Sequence, residues 1–367
     1  MDKINNKKIN YQISNIDNIN NHLKRLINDG RLIGATYALS QNSEIFSHES
    51  LGYMNYNKTS KLKETSIRRI ASLTKLFTSV AILQLIERGL IYLHQPIYQI
   101  IPEFNRGIYK KITLFHLLTH TSGLAPSPGI LSEPYPTDYD FTQDKDWIRN
   151  SLKGIPYSNP GEIWAYSSFG FAILGLVIEK ITEEVFEDYI KNNILIPLEM
   201  KDTFFRITSE NKENICIPNK HSEKVLIKDE KVRNEQFPPK SNSGLYSTVI
   251  DLQKFAICIL NKGKLNNVRI LSNKSVEMMT KNHLNGIKSY CWNDNGKEIH
   301  YGLGFHLYQN DSLTSSDTFG HEGSGLSGMF IDPQEKFILT YFTMLPVPIW
   351  IPEPVTNLKN IVWSGIK

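Results

Sequence analysis

Ser72-Leu73-Thr74-Lys75 carries the sharpest chemical signal in the chain. Positions i and i+3 share one face of a helix, so this spacing makes the Ser hydroxyl and the Lys amine neighbours. An uncharged amine accepts a hydroxyl proton, and an apolar surround lowers a lysine's pKa toward the range where it can do so. The start of a helix helps twice, because its dipole disfavours a protonated Lys and favours negative charge developing on a substrate oxygen. The pattern therefore suits a serine nucleophile that carries its own base. Alone it fixes only two residues in four, and a solvated helix start reads the same way.

Two later segments add to it. Tyr166-Ser167-Ser168 lies inside NPGEIWAYSSFGFAILG. A Tyr on a loop that closes over a nucleophile shuttles protons between phenol and phenolate when a cationic Lys is near. His321-Glu322-Gly323-Ser324, followed by Gly325, opens a late strand. A residue as small as Gly323 lets that strand edge approach a substrate, so the N–H of Ser324 is expected to pair with the N–H of Ser72 as an oxyanion hole.

These residues need elements to hold them. Ile16, Ile19, Leu23, Leu26 and Ile27 recur at helical spacing, with Ser14 and Asp17 as an expected capping box and Gly30 as a stop. LIGATYALS (32–40) and EIFSHESLG (44–52) read as a β-hairpin turning at QNS. Phe77, Val80, Ala81, Ile82, Leu85 and Ile86 give a largely buried helix over Thr74–Arg88, capped by Gly89. Helical segments at 114–120, 145–152 and 168–192 follow, separated by Pro- and Gly-rich loops. The charged stretch Ser209 to Lys240 reads as surface loop, and a further helix as Val249 to Leu260. YGLGFHLY, GLSGMFID and KFILTYFTML are strand runs, the last two joined by a turn at DPQE. Strands at both ends around a helical middle predict an α+β fold: one antiparallel sheet built from both chain ends, flanked by helices. The expected domains are 1–88 with 240–367 for the sheet, and 89–239 as an inserted, mainly helical domain.

Composition excludes several function classes. In 367 residues, 40% are hydrophobic and 21% charged, and 41 basic against 37 acidic residues leave +4. That excess is scattered, so neither nucleic acid nor phosphate is an expected partner. Cys216, Cys258 and Cys291 stand too far apart for a disulfide framework or a zinc site. His116 and His120 have the i, i+4 spacing of zinc ligands on a helix, but no Glu follows His116 and no third ligand is evident. Hydrogen-bonded structural histidines are the better account, and no metal or cofactor is expected. The nucleophile elbow G-x-S-x-G and a phosphate-binding G-x-x-x-x-G-K are both missing. The N-terminal MDKINNKKINYQISNIDN offers no apolar signal-peptide core, and Phe169 to Ile178 is about half the ~20 apolar residues a bilayer span needs. The expectation is a cytoplasmic chain without a membrane span, acting on a small molecule, with its oligomeric state unassigned.

Taken together, RRIASLTKLFTSVAILQLIERGLI, ITLFHLLTHTSGL, PGEIWAYSSFGFAILGLVIEKI, LIPLEMKDTFF, SGLYSTVIDLQKFAICILNKGKL and FGHEGSGLSGMF resemble, in order, segments of the class C β-lactamase-like serine hydrolases of the penicillin-binding-protein superfamily. The likeness covers roughly residues 30 to 345. It implies a β-lactamase/transpeptidase-like fold, with Ser72 as acylated nucleophile, Lys75 as its proton acceptor, Tyr166 as shuttle toward the leaving group and His321 lining the strand side of the pocket. Two positions depart from the family pattern. Ser168 stands where Asn often anchors a substrate amide. His321 stands where penicillin-destroying members usually carry Lys, and an imidazole, largely neutral near pH 7, holds a carboxylate less strongly. The expectation is thus an esterase, amidase or acyltransferase working through a Ser72 acyl-enzyme. The alternatives are a β-lactamase or D-alanyl-D-alanine peptidase, or a catalytically silent binding protein of the same fold.

Overall fold

A computed structural model describes residues 9–124, 144–153, 156–231, 233, 236–291, 294–309, 312–347 and 353–367. Its centre is a six-stranded antiparallel sheet. The strands are β1 (Gly34–Gln41), β2 (Glu44–Gly52), β3 (His306–Leu307), β4 (Phe319–Gly323), β5 (Ser327–Asp332) and β6 (Phe337–Met344), in the spatial order β3-β4-β5-β6-β1-β2. The seam between the two chain ends is β1 against β6, running from Gly34 opposite Met344 to Gln41 opposite Phe337. Every residue of β1 and β6 is buried, which explains why both read as near-continuous apolar runs rather than alternating ones. Asn42 and Ser43, at φ of 55° and 70°, make the two-residue turn that matches the right-handed twist of β1 and β2.

Helices cover both faces. On one side α1 (Asn15–Asn28) and α11 (Glu353–Trp363) pack together, burying Ile19, Leu23 and Leu26 against Leu358, Val362 and the outward residues Tyr37, Leu39, Phe330 and Leu339. On the other lie α2 (Thr74–Glu87), α5 (Ser168–Thr182) and α9 (Val249–Leu260), whose core takes in Ala38, Met329, Ile331, Ile338 and Phe342 from the sheet. Every residue of α2 from Thr74 to Leu85 is buried. A helix walled on all sides must be apolar all round, and its few polar side chains then need partners. The α9–sheet contact shows this: Gln253 donates to the Ala38 carbonyl at 2.7 Å and accepts from Ser40 at 2.7 Å. The remaining helices are α3 (Leu114–Leu118), α4 (Trp147–Ser151), α6 (Phe186–Ile190), α7 (Ser209–Lys212), α8 (Lys220–Asp229) and α10 (Asn273–Thr280).

The α+β architecture with a sheet drawn from both ends agrees with the sequence reading, as do the first hairpin, α2 with Gly89 at φ 71°, and α9. Other details differ. Ser14 is itself in the right-handed helical region and caps nothing with its side chain, so the expected Ser14/Asp17 box is not made; backbone turns close that end. The segment 168–192 is not one helix, because Glu183 at φ 57° ends α5 and α6 starts afresh at Phe186. No Gly or Pro announces that break. The stretch read as surface loop holds α7 and the ten-residue α8, whose Asn219 cap accepts from Ser222 N–H at 2.8 Å. Neither α10 nor α11 has an equivalent in the sequence reading. Residues 125–143, within the Pro- and Gly-rich stretch between the expected helical segments 114–120 and 145–152, lie outside the described residues. Among the described residues no helix is long and apolar enough to cross a membrane.

Candidate active site

Ser72 does not sit on α2 proper. It lies in a 3-10 turn, Ala71–Leu73, that feeds into the helix at Thr74. Ala71 has φ 47°, a left-handed conformation that costs a residue with a Cβ of the order of 1 kcal/mol. The turn is held from three sides. Thr74 Oγ1 donates to the Ala71 carbonyl at 2.7 Å and accepts from Leu245 N–H at 3.1 Å, and Ser327 Oγ donates to the Ile70 carbonyl at 3.1 Å. Gly323 permits the last contact: a Cβ there would stand 2.3 Å from the Ile70 carbonyl oxygen. So the end of β4 is pressed against the turn that carries Ser72.

Lys75 is 0% exposed. Its Nζ has three polar neighbours, Ser72 Oγ at 3.2 Å, Ser168 Oγ at 3.4 Å and the Asn242 carbonyl at 2.9 Å. A neutral amine has two N–H bonds and one lone pair. The carbonyl only accepts, so one N–H goes to Asn242; the second suits Ser168 and leaves the lone pair for the Ser72 hydroxyl proton. Burial drives Lys75 down to about 7, with the positive charge of Arg69 acting in the same direction. Among the described residues no carboxylate forms an ion pair with it.

Tyr166 is buried on the loop between the short strand Ile163–Trp164 and α5, and its phenol faces Ser72. Burial pushes the phenol well above its usual value, and the Ser72 contact opposes this only in part. The Lys75 amine stands over the ring, 4.8 Å from its centroid. The two shifts run in opposite directions, so near neutral pH the proton stays on the phenol and the amine is the available base. Within the Tyr-Ser-Ser segment, Ser167 caps α5 by accepting from Gly170 N–H at 3.2 Å, while Ser168 turns its hydroxyl to Lys75.

His321 is buried on β4 and donates from Nδ1 to the Glu322 carbonyl at 2.7 Å. Burial and the nearby Lys75 lower it to about 3, so it is a neutral ring with its Nε2 lone pair uncommitted to that bond. Ser324 is exposed on the turn after β4.

His120 is the residue that sequence reasoning placed wrongly. α3 ends at Leu118 and His120 has φ 57°, so it does not share a helix face with His116. His116 instead completes the cap of α3, accepting at Nδ1 from Thr113 N–H at 3.2 Å. His120 accepts at Nδ1 from Ser167 N–H at 3.1 Å, and its carbonyl accepts from Ala165 N–H at 2.9 Å. It thus holds the backbone on both sides of Tyr166, with its ring 4.3 Å from the Tyr166 ring. Its Nε2–H is buried without an acceptor among the described residues, and burial with Lys75 keeps the ring neutral. The spacing of three Thr and Ser around it gives no hint of this role. The Asn242 carbonyl was equally invisible, being a backbone atom 167 residues from its partner.

The arrangement supplies a hydroxyl, an amine that gives up its proton near neutral pH, a protonated phenol and two neutral imidazoles. That set suits attack on a carbonyl better than the holding of a metal: among the described residues no group of three His, Cys, Asp or Glu is arranged for one.

Comparison with known proteins gives a consistent result. A family model described as Beta-lactamase matches residues 19–351. Protein flp of Staphylococcus aureus (strain MW2) is 32% identical over 191 residues, covering 51% of this chain and 38% of the relative. Penicillin-binding protein 4* of Bacillus subtilis (strain 168) is 30% identical over 224 residues, covering 57% of this chain and 48% of the relative. The matched part is therefore less than half the length of either curated relative. Among solved structures, EstCE1, described as a hydrolase with promiscuous acyltransferase activity, superposes with a TM-score of 0.79 over 96% of this chain and 99% of its own, at 15% identity.

Proposed function

The chain belongs to the beta-lactamase family, and from that premise we propose that it cleaves an ester or amide through an acyl-enzyme on Ser72. The supporting observation is the triple contact of Lys75, which turns a buried amine's lone pair toward the Ser72 hydroxyl. Ser72 Oγ attacks the substrate carbonyl and its proton passes to Lys75 Nζ. The N–H groups of Ser72 and Ser324 hold the oxyanion. As the tetrahedral intermediate collapses, the bond to the leaving group breaks, and a proton reaches that group through Tyr166 Oη, replenished from Lys75. Water then attacks the acyl carbonyl and passes its proton to Lys75 and Tyr166; the acyl–Oγ bond breaks, Ser72 Oγ takes that proton back and the acid leaves, and an alcohol or amine in place of water gives acyl transfer.

The neutral His321 favours esters over substrates that need a fixed cation opposite their leaving-group carboxylate. Incubation with a fluorophosphonate followed by mass spectrometry is expected to give one adduct, on Ser72. Ser72→Ala is expected to lower turnover of a short-chain aryl ester by about 10³-fold or more while the circular-dichroism spectrum is unchanged. Retention of full turnover by that variant rejects the assignment. Steady-state rates on the aryl ester, compared with a chromogenic cephalosporin, rank the esterase against the β-lactamase alternative.

A further inference from the structure

Arg68 is a buried charged residue that the acylation chemistry leaves unused. The strand Arg68–Arg69 pairs with Tyr246–Ser247, and strand alternation sends the two arginines opposite ways. Arg69 turns outward, 30% exposed, and is paired with Asp229 at 2.9 Å. Arg68 turns inward and is only 6% exposed. Its Nη2 donates to the Gly325 carbonyl and its Nη1 to Met344 Sδ at 3.6 Å, a soft and weak acceptor. Among the described residues no carboxylate lies within ion-pair distance of it. A buried guanidinium without a counter-charge is strongly penalised, and burial draws Arg68 down to about 10.

That guanidinium borders a pocket of about 110 Å³. Arg68, Arg69, Asn219, His221, Ser324 and Gly325 give it its polar wall, and Ile215, Leu226 and Val347 its apolar one. Among the described residues no Asp or Glu lines it. Ala71 and Ser324 are also in the wall, so the pocket begins at the residue before the proposed nucleophile and at the proposed oxyanion donor. The first turn of α8, from Asn219 to Ser222, adds the positive end of a ten-residue helix to the same space. Gly325, at φ 82°, lets the loop after β4 lie against Arg68: a Cβ there would meet Nη2 at 2.3 Å.

We infer that this pocket is an anion subsite, and that the acyl part of the preferred substrate ends in a carboxylate or another small anionic group seated against Arg68. The inference rests on Ser72 being the acylated residue. Arg69 is already paired with Asp229, so Arg68 is the guanidinium left for a ligand, with a histidine and a helix start beside it; an anion seated there supplies the counter-charge that Arg68 lacks in a low-dielectric place. The apolar wall takes the methylene chain that links the anion to the reacting carbonyl.

Two aryl esters of equal chain length test it: 4-nitrophenyl hexanoate, which is neutral, and 4-nitrophenyl hemiadipate, which carries a terminal carboxylate. The expected kcat/KM is at least tenfold higher for the hemiadipate, and Arg68→Met is expected to reduce that ratio at least tenfold. A wild-type preference for the hexanoate, or a ratio that Arg68→Met leaves unchanged, overturns the subsite. Should Arg68→Met fail to fold, the unmodified protein decides. Glutarate is then expected to inhibit hexanoate hydrolysis competitively while its neutral isostere glutaramide does not, and equal effects of the two, or none from either, reject the inference. Inorganic phosphate in the same assay tells a general anion seat from a carboxylate-specific one: competition at glutarate-like concentrations supports the former, and competition by glutarate alone supports the latter. Calorimetric titration of glutarate into Ser72→Ala separates this from the catalytic assignment. Binding that persists in a hydrolytically dead variant supports both; binding in a variant that still hydrolyses ester keeps the subsite and rejects the nucleophile; no binding rejects the subsite.

Discussion

Two lysines are buried on opposite faces of the same sheet, and each lies against two aromatic rings. Lys359 on α11 has its Nζ 4.9 Å from the Tyr308 ring centroid and 4.7 Å from that of Phe330. Lys75 on α2 has its Nζ 4.8 Å from Tyr166 and 5.6 Å from Phe171. The ring environment is thus nearly matched. What differs is the charge nearby. The charge of Lys359 acts on the half-buried carboxylate of Glu322, which burial raises and which accepts from Tyr341 at 2.7 Å; Lys75 has Arg69, two neutral histidines and, among the described residues, no acid. Beside Lys75 the ring faces do not offset the loss of water, and burial lowers it; a nearby carboxylate would act in the opposite direction. The α1–α11 face provides one, and the α2 face withholds one.

The sharpest way to break the comparison is to remove each amine in turn. Lys75→Met is expected to lower kcat/KM on an aryl ester by about 10²–10⁴-fold, the usual range for a lost general base. Lys359→Met is expected to leave the rate within about threefold, and comparable losses in both variants would erase the distinction. A milder operation gives Lys75 the acid it lacks. In Ser168→Asp a carboxylate replaces a hydroxyl now 3.4 Å from the amine, so the pKa of Lys75 must rise. The acid limb of the kcat/KM profile, expected at about 7 in the wild type, should move up by at least one unit and activity should recover partly at pH 9. An unmoved limb would assign it to another group; neither imidazole qualifies, since His321 is lowered to about 3 and His120 falls well below its usual value.

The same group makes a stability prediction. Lys75 is lowered in the folded chain to about 7 from roughly 10.4 when unfolded, so between those values the unfolded chain holds more protons and stability rises with pH. Below about 7 both states are protonated and the folded protein bears the full penalty. Urea titrations should therefore find Lys75→Met more stabilised relative to wild type at pH 6 than at pH 10. The smallest effect is expected on the other face: Glu322→Gln leaves Lys359 buried beside a neutral amide, a loss of about 1–3 kcal/mol in urea with the acid limb unmoved.

Sequence patterning located most of the frame and the three segments of the candidate site. α2, the Asn42-Ser43 hairpin and the β5–β6 run were legible because burial on a regular element leaves a period or a continuous apolar run. The end of α5 at Glu183 was not, since nothing local marks it and packing of Phe186 into the core sets the new direction. α8 was lost beneath its charge: seven of the ten residues in KHSEKVLIKD are charged, polar or His, and only Leu226 and Asp229 are buried. His120 is a hydrogen-bonded histidine as the sequence suggests, but its helical placement does not hold, because i, i+4 spacing means a shared face only while the helix continues and α3 stops two residues earlier.

By itself the sequence determined that Ser72 and Lys75 would be neighbours, because one turn of backbone sets that distance whatever surrounds it. It also determined that the two ends of the chain would supply one sheet, since β1 and β6 are too apolar to be left on an edge. Which protonation state Lys75 holds was decided only in three dimensions. Solvent exclusion and the carbonyl of Asn242 come from residues far along the chain, and no local spacing records whether a distant carboxylate will arrive beside the amine. That Arg68 is buried without a carboxylate partner among the described residues was likewise set by folding, because distance and dielectric fix the Coulomb energy and no local spacing records either.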